Sequence, residues 1–304
     1  MKSILDAIGN TPLLNIEGIH VKAEYLNPSG SIKDRIAKYI VERAERKGTL
    51  KKGDTIVEAT SGNTGTAFAL VAAVKGYKMV AVMPRGLSRE RTQMMRLFGA
   101  KIVYVKEQCF DCAIKKAKAL GKRKNVFLPD QFNNPLNVED HVKYLGKEIT
   151  SQVKKIDAFV AGVGTGGSLI GVGKALRKKN PNAQLIALEP KECAVLPSMG
   201  IGQVYGKKKG YACKAHGIEG IGDGIIPGII RRNKKMVNGV VTVSTTEAVT
   251  EAKRLARIYG CFVGPSSGAN FLAAKRLRKK YKNVLTLFPD EGEKYLSESY
   301  MKKG

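Results

Sequence analysis

The chain has 304 residues, 43% hydrophobic and 26% charged, which gives room for two compact domains of ordinary soluble composition. No apolar run is long enough to cross a bilayer as a helix and Met1-Lys-Ser-Ile-Leu-Asp6 lacks a signal-peptide core, so no membrane association and a cytoplasmic location are expected. The net charge of +27 is spread over runs at 43–52, 115–124, 174–179, 207–209 and 275–282, without an aromatic stripe to stack bases and without Trp, so solvated helix ends are expected rather than a specific nucleic-acid surface.

In chain order, the alternation over 19–25 predicts a strand, and Asn27-Pro28-Ser29-Gly30 predicts a turn. Ser31 is the expected N-cap of a helix over 32–46, where apolar and charged residues recur at helical spacing. Lys33 then falls in the first helical turn, where the dipole mildly disfavours a cation. A lysine that must lose its proton to form an imine suits that place; an ordinary surface lysine is the alternative.

Further along, 55–58, 78–83, 101–105, 158–161, 184–188 and 283–288 are short apolar runs with polar borders, read as strands buried on both faces of parallel sheets. Stretches of helical character separate them, which predicts a doubly wound α/β fold. Sites in such folds lie at the carboxyl ends of strands.

Three Gly/Ser/Thr loops fall at strand-to-helix points. The first, Thr60-Ser61-Gly62-Asn63-Thr64-Gly65, packs hydroxyls and an amide at a helix start, as a carboxylate site would. The second, Gly162-Val-Gly164-Thr165-Gly166-Gly167-Ser168, offers backbone N–H groups and hydroxyls to a phosphate. It also matches the dinucleotide pattern, with Glu189 near the place of a ribose-binding acid, so a nicotinamide-dependent oxidoreductase is a rival reading. It is the less favoured one, because the motif is short, arrives in mid-chain and has no hydride-transfer site downstream. The third, Gly264-Pro265-Ser266-Ser267-Gly268, by itself predicts only a helix cap.

The spacing Lys22-x-Glu24-x-x-x-Pro28-Ser29-x-Ser31-Ile32-Lys33-x-Arg35, with the three loops in this order, resembles the cysteine synthase/cystathionine β-synthase family. The likeness runs from Ile8-Gly-Asn-Thr-Pro-Leu13 to Phe288-Pro-Asp-Glu-Gly-Glu-Lys-Tyr-Leu296. It implies a fold type II enzyme, similar to the tryptophan synthase β chain, dependent on pyridoxal 5'-phosphate (PLP). By the resemblance, Lys33 forms the Schiff base and acts as acid and base, and Asn63 meets the ring oxygen. Thr60, Ser61, Asn63 and Thr64 take the substrate carboxylate, helped by Gln131, and Gly220 also binds the substrate. Gly164, Thr165, Gly166, Gly167 and Ser168 hold the phosphate, and Ser266 faces the pyridine nitrogen. A serine there leaves the ring a weaker electron sink, which favours β-elimination over transamination.

The implied reaction is ping-pong β-replacement through an aminoacrylate, with O-acetylserine and sulfide as the leading substrates. Cysteine-consuming sulfide release and cystathionine or lanthionine formation are the alternatives. The resemblance further implies a homodimer and two domains, residues 1–35 with 141–304 and a smaller, mobile 36–140. It also implies a minimal catalytic core, without the haem extension or regulatory domain of the cystathionine synthase branch.

One position departs from the family. In His216-Gly-Ile-Glu219-Gly220-Ile-Gly222-Asp223-Gly224 an acid stands where a small or aromatic residue is usual. Asp223 is either a turn acid or a base for an incoming water or thiol. The same acid, in place of an arginine, disfavours O-phosphoserine as donor. Five cysteines without framework spacing fit a reducing compartment, and Cys109-Phe-Asp-Cys112 is expected to pack half-buried rather than bind zinc or act in redox chemistry. His20 and His141 are expected to be structural, with His216 placed to shape its loop.

Overall fold

Residues 2–107, 109–201, 203–205 and 213–302 are described by the computed structural model, 203–205 and 302 as backbone only. The strands are β1 (Leu13–Ile16), β2 (Ile19–Lys22), β3 (Thr55–Ala59), β4 (Lys78–Pro84), β5 (Lys101–Val105), β6 (Val126–Phe127), β7 (Ala158–Gly162), β8 (Gln184–Pro190), β9 (Gln203–Tyr205), β10 (Gly239–Val243) and β11 (Val284–Leu287). The helices are α1 (Lys33–Arg46), α2 (Asn63–Lys75), α3 (Arg89–Leu97), α4 (Phe110–Gly121), α5 (Pro135–Lys143), α6 (Leu145–Gln152), α7 (Gly167–Lys179), α8 (Gly228–Asn233), α9 (Thr245–Tyr259), α10 (Pro265–Arg278) and α11 (Ser299–Lys302).

The strands form two sheets. The larger has the order β1-β2-β11-β7-β8-β10-β9, and the smaller β5-β4-β3-β6. Every pairing is parallel except β1 with β2. Both faces of each sheet are covered, as the continuous apolar runs require. Along β7, Phe159 and Ala161 face one apolar layer while Ala158 and Val160 face another. In the smaller sheet, Ile56 packs with Phe68 and Met79, while Val57 packs with Val82 and Ala113. The α/β class with mainly parallel sheets is therefore as expected.

The differences are local. The strand expected over 19–25 stops at Lys22, because Glu24–Leu26 turns into a 3-10 helix and the Tyr25 N–H donates to the Phe288 carbonyl at 3.0 Å. Ile32, not Ser31, is the N-cap of α1; the Ser31 hydroxyl still accepts the Lys33 N–H at 3.3 Å. Four strands were missed. β6 and β9 have two and three residues, too few for a period to show. β1 is held by antiparallel pairing with β2, and β10 by pairing with β8.

Basic residues gather in the last turns of α1, α7 and α10, where they face the negative helix end. The run 207–209 lies outside the described residues. Among the described residues no helix is long and apolar enough to cross a membrane. The cysteines depart from expectation: Cys109 is bonded to Cys112 and Cys193 to Cys213, leaving Cys261 buried and free.

Candidate active site

The ends of β3, β7 and β11, the turn before α1 and the loop 216–224 open on one cavity. Its walls include Lys33, Ser61, Asn63, Thr64, Gln131, Gly164, Thr165, Gly166, Ser168, Gly220, Asp223 and Ser266. Of the residues expected in the site, only Thr60 and Gly167 do not line it. The Thr60 hydroxyl, buried, accepts the Gly62 and Gly65 N–H groups, each at 2.9 Å, so it shapes the loop from behind. The Gly167 N–H donates to Thr165 Oγ1 at 3.2 Å, within the phosphate loop itself.

Lys33 is presented by a braced turn. Asp34, buried, accepts the Ser29 N–H at 2.6 Å and also the Ser29 hydroxyl. Lys294 Nζ donates to the carbonyls of Ser29 at 2.7 Å and Gly30 at 2.9 Å. Gly30 has φ +71°, and a Cβ there would run into the Glu291 carboxyl, so both conformation and space call for glycine. Burial lowers the pKa of the Lys33 ammonium; Asp290 and Asp223 oppose that, while Lys294 and Arg91 add to it. Such a lysine releases its proton more readily than one in water, as imine chemistry needs.

On another wall, α7 has Gly166 (φ +81°) as its N-cap, with no side-chain hydrogen bond there. Apart from the Gly167 N–H, which Thr165 Oγ1 takes, the N–H groups of its first turn and the positive dipole end are available to an anion. Asn270 Oδ1 accepts the Gly162 N–H at 2.8 Å, and Asn137 Nδ2 donates to Thr165 Oγ1 at 3.1 Å, which fixes the loop from two sides. Gly164 backs directly on the Gly220 carbonyl, with no room for a Cβ. Gly164→Ala is therefore expected to push the two loops apart. Overpacking of this kind costs about 1–3 kcal/mol, so affinity for PLP should fall by roughly 5- to 150-fold. Titration of the cofactor-free variant with PLP measures it, and unchanged affinity would remove this loop from the phosphate site.

The carboxylate side is tied to a buried acid. Thr64 Oγ1 donates to Gln131 Oε1 at 2.7 Å, and Gln131 Nε2 donates to the Ala59 carbonyl at 2.8 Å. The Gln131 N–H meets Glu58, whose carboxyl is pushed up to about 8 by burial and is mostly protonated at neutral pH.

His216 shapes the third wall: Nδ1 accepts the Ile218 N–H at 3.2 Å and Nε2–H donates to the Gly222 carbonyl at 3.0 Å. That hairpin presents Asp223 to the cavity. Loss of water raises the Asp223 pKa to about 6, against the pull of His216 and Lys33. His20 and His141 lie elsewhere, their pKa values lowered by burial.

Several residues at the cavity were given no role by the sequence. Phe110 and Phe132 meet edge-on, 5.5 Å between ring centres, and both line the cavity. Glu219 lines it from the 216–224 loop and is paired with Arg91 of α3. Asp290 sits just beyond, within the Phe288-Pro-Asp-Glu-Gly stretch. Glu189 is used otherwise than the dinucleotide reading requires. It is buried, and its carboxylate accepts the N–H groups of Val195 at 3.1 Å and Leu196 at 3.0 Å.

The lining fits PLP. A glycine-rich helix start meets the need for an anion cradle, Lys33 the need for an amine, and Ser266 the need for a polar group at a ring nitrogen. Asn63 Oδ1, buried on the cavity wall without a hydrogen-bond partner, is an orphan that a ligand can satisfy.

Comparison with known proteins agrees. Residues 4–290 match the model of the family described as pyridoxal-phosphate dependent enzyme. A cysteine synthase of Staphylococcus aureus is 42% identical, the match covering 97% of this chain and 95% of that protein. The crystal structure of the O-acetylserine dependent cystathionine β-synthase from Helicobacter pylori superposes with a TM-score of 0.90 at 34% identity, covering 99% of this chain and 98% of that one. A hydrogen sulfide-producing enzyme from Fusobacterium nucleatum gives 0.88 at 40% identity, covering 98% and 90%. An aspartate-to-asparagine mutant of that enzyme was solved in complex with an α-aminoacrylate intermediate. On its sequence and on the geometry of its site, this chain belongs to the pyridoxal-phosphate-dependent enzymes.

Proposed function

We propose that this chain is a PLP-dependent β-replacement enzyme, a cysteine synthase that converts O-acetyl-L-serine and sulfide to L-cysteine and acetate. The observation that carries the reading is the gathering of Lys33, the glycine-rich α7 anion cradle and the Asp223 loop on one cavity, the cradle and the Asp223 loop packed against each other. When bound, PLP supplies the electron sink for breaking the bonds at Cα and Cβ. The chain's residues do the rest. The helix start at Gly166–Ser168 holds the phosphate, and Ser61, Asn63, Thr64 and Gln131 orient the amino-acid carboxylate. Lys33 takes the α-proton and can return it, and the wall of Phe110 and Phe132 keeps water from the leaving group.

Cysteine-consuming sulfide release is the second reading, favoured by Asp223 in the cavity and by the Fusobacterium relative. A carboxylate there activates water or a thiol for attack at Cβ. O-phosphoserine is disfavoured, since no arginine lines the cavity among the described residues and two acids, Glu219 and Asp223, do. In this reading residues 36–140 act as the mobile body that closes on substrate, and the enzyme works as a cytoplasmic homodimer.

Purified enzyme mixed with O-acetylserine alone distinguishes these readings. For a cysteine synthase, a long-wavelength absorbance change should persist until sulfide is added and then collapse with formation of cysteine. Rapid decay to serine would instead favour the water-activating reading. Absence of any absorbance from a bound cofactor, with PLP supplied, would sink both.

A further inference from the structure

We infer that Asp290, together with Arg91, is a positioning residue of this site, the seat on which the smaller sheet body closes against the larger. The proposal rests on the β-replacement reading and adds to it two residues that bear no assigned role.

Asp290 is 1% exposed, yet its carboxylate gathers donors from both sides of the cleft. From the larger body come Tyr295 Oη at 2.7 Å and Ser266 Oγ at 3.3 Å. From the smaller come Asn63 Nδ2 at 2.7 Å and Arg91 Nη2 at 3.5 Å. Asn63 and Ser266 both line the cavity, so one carboxylate steadies two of its walls.

Arg91 completes the seat. It is also 1% exposed, lies over the Tyr295 ring at 4.4 Å, and pairs through its other terminal nitrogen with Glu219 of the 216–224 loop. Its Cδ fills the space beside Gly62 where a Cβ would otherwise stand. The guanidinium thus joins α3, the carboxylate loop, the Asp223 loop and the segment after β11.

A buried carboxylate is tolerated when it is paired and hydrogen-bonded. If the cleft opens, Asp290 keeps Tyr295, Ser266 and the influence of Lys33 and Lys294 but loses Asn63 and Arg91, and Glu219 loses Arg91. Closure restores both. The seat therefore favours the closed arrangement, in which Asn63 and Thr64 line the same cavity as Lys33, and a donor bound there is held more tightly. This is a difference between two states of the same protein, which is what a positioning residue supplies.

The test uses PLP-loaded enzyme carrying Asp290→Asn, Arg91→Met, Arg91→Lys, or Asp290→Asn with Arg91→Met. The expected result is a KM for the amino-acid donor raised about tenfold in the first two, with kcat within about threefold. The double variant should resemble the worse single one, since the two act as one unit, and Arg91→Lys should recover part of the loss. Should Asp290→Asn fail to fold, the two Arg91 variants carry the comparison.

Amide exchange provides a readout without turnover. In cofactor-free protein, Arg91→Met should speed exchange in 61–65 and 216–224 about tenfold while core strands β7 and β8 stay protected. Unchanged KM, additive effects or unchanged exchange would each overturn the proposal. A wild-type enzyme that processes no β-substituted amino acid would defeat the functional reading, and the exchange comparison would still decide the seat.

Discussion

Lys33→Ala is expected to abolish turnover, lowering kcat/KM by at least about 10³-fold. General acid–base catalysis alone contributes about 10²–10⁴, and this side chain also anchors the cofactor. Its surroundings prepare it for both tasks. The turn 29–31 is pinned by Asp34 and Lys294, so the amine emerges at a fixed point of the cavity floor. Burial lowers its pKa, while Asp290 and Asp223 keep it from falling further. A lysine whose pKa is lowered toward the working pH gives up its proton more readily and can take one back. Measuring cysteine formation from O-acetylserine and sulfide, with cofactor retention after dialysis, checks the prediction. Activity within tenfold of wild type would remove Lys33 from the chemistry. Partial rescue by added small amines would identify the missing group as the amine.

Asp223→Asn is the second large effect, and it should divide the reaction in two. The amide keeps the shape of the side chain but cannot accept a proton. Departure of the β-substituent should proceed at the wild-type rate, while nucleophile attack slows by about 10²–10⁴-fold. Stopped-flow measurement of the two stages separates them, and an unchanged second stage would exclude Asp223 as base.

The pH dependence carries the same signature. With a pKa raised to about 6, Asp223 is ionised above that pH, where it can serve as the proposed base, and protonated below it. The wild-type second stage should rise with pH through about 6 and level off, a step the Asn variant lacks. The sign for stability is the reverse of the usual carboxylate case. A pKa above the unfolded value means the native state binds the proton more tightly, so this group's contribution to stability falls as pH rises from about 4 to 6. Asp223→Asn should then melt higher than wild type at pH 7, with the advantage fading toward pH 4.

That Lys33 and the 162–168 loop would meet at one cavity could be read from sequence because each is one contiguous stretch beside a helix start, where geometry follows from local residues. Asp290 and Arg91 could not. They are 199 positions apart, and an acid after a strand or an arginine on a helix reads as surface until the fold buries both. Thr60 illustrates a different loss. Its type was right for a ligand site, but the loop's own N–H groups needed an acceptor and took it. Cys193 and Cys213 lie 20 residues apart in a chain without framework spacing, so their pairing is decided by tertiary proximity. β10 shows the limit for strands: five residues that owe their place to the register with β8.

The position of β11 has a consequence for how the protein is made. It is the last strand in the chain, yet it lies between β2 and β7 in the larger sheet. During synthesis, β2 and β7 therefore leave the ribosome with a gap between them that nothing encoded earlier is placed to fill. The Lys33 turn waits on the same event, because its braces, Lys294 and the Ser31–Asp290 bridge, come from the segment just after β11. The smaller sheet, complete by residue 127, can form while the ribosome is still extending the chain. A nascent chain stalled short of residue 284 should thus hold one folded body and no competent cofactor site, which delays PLP capture until translation is nearly finished.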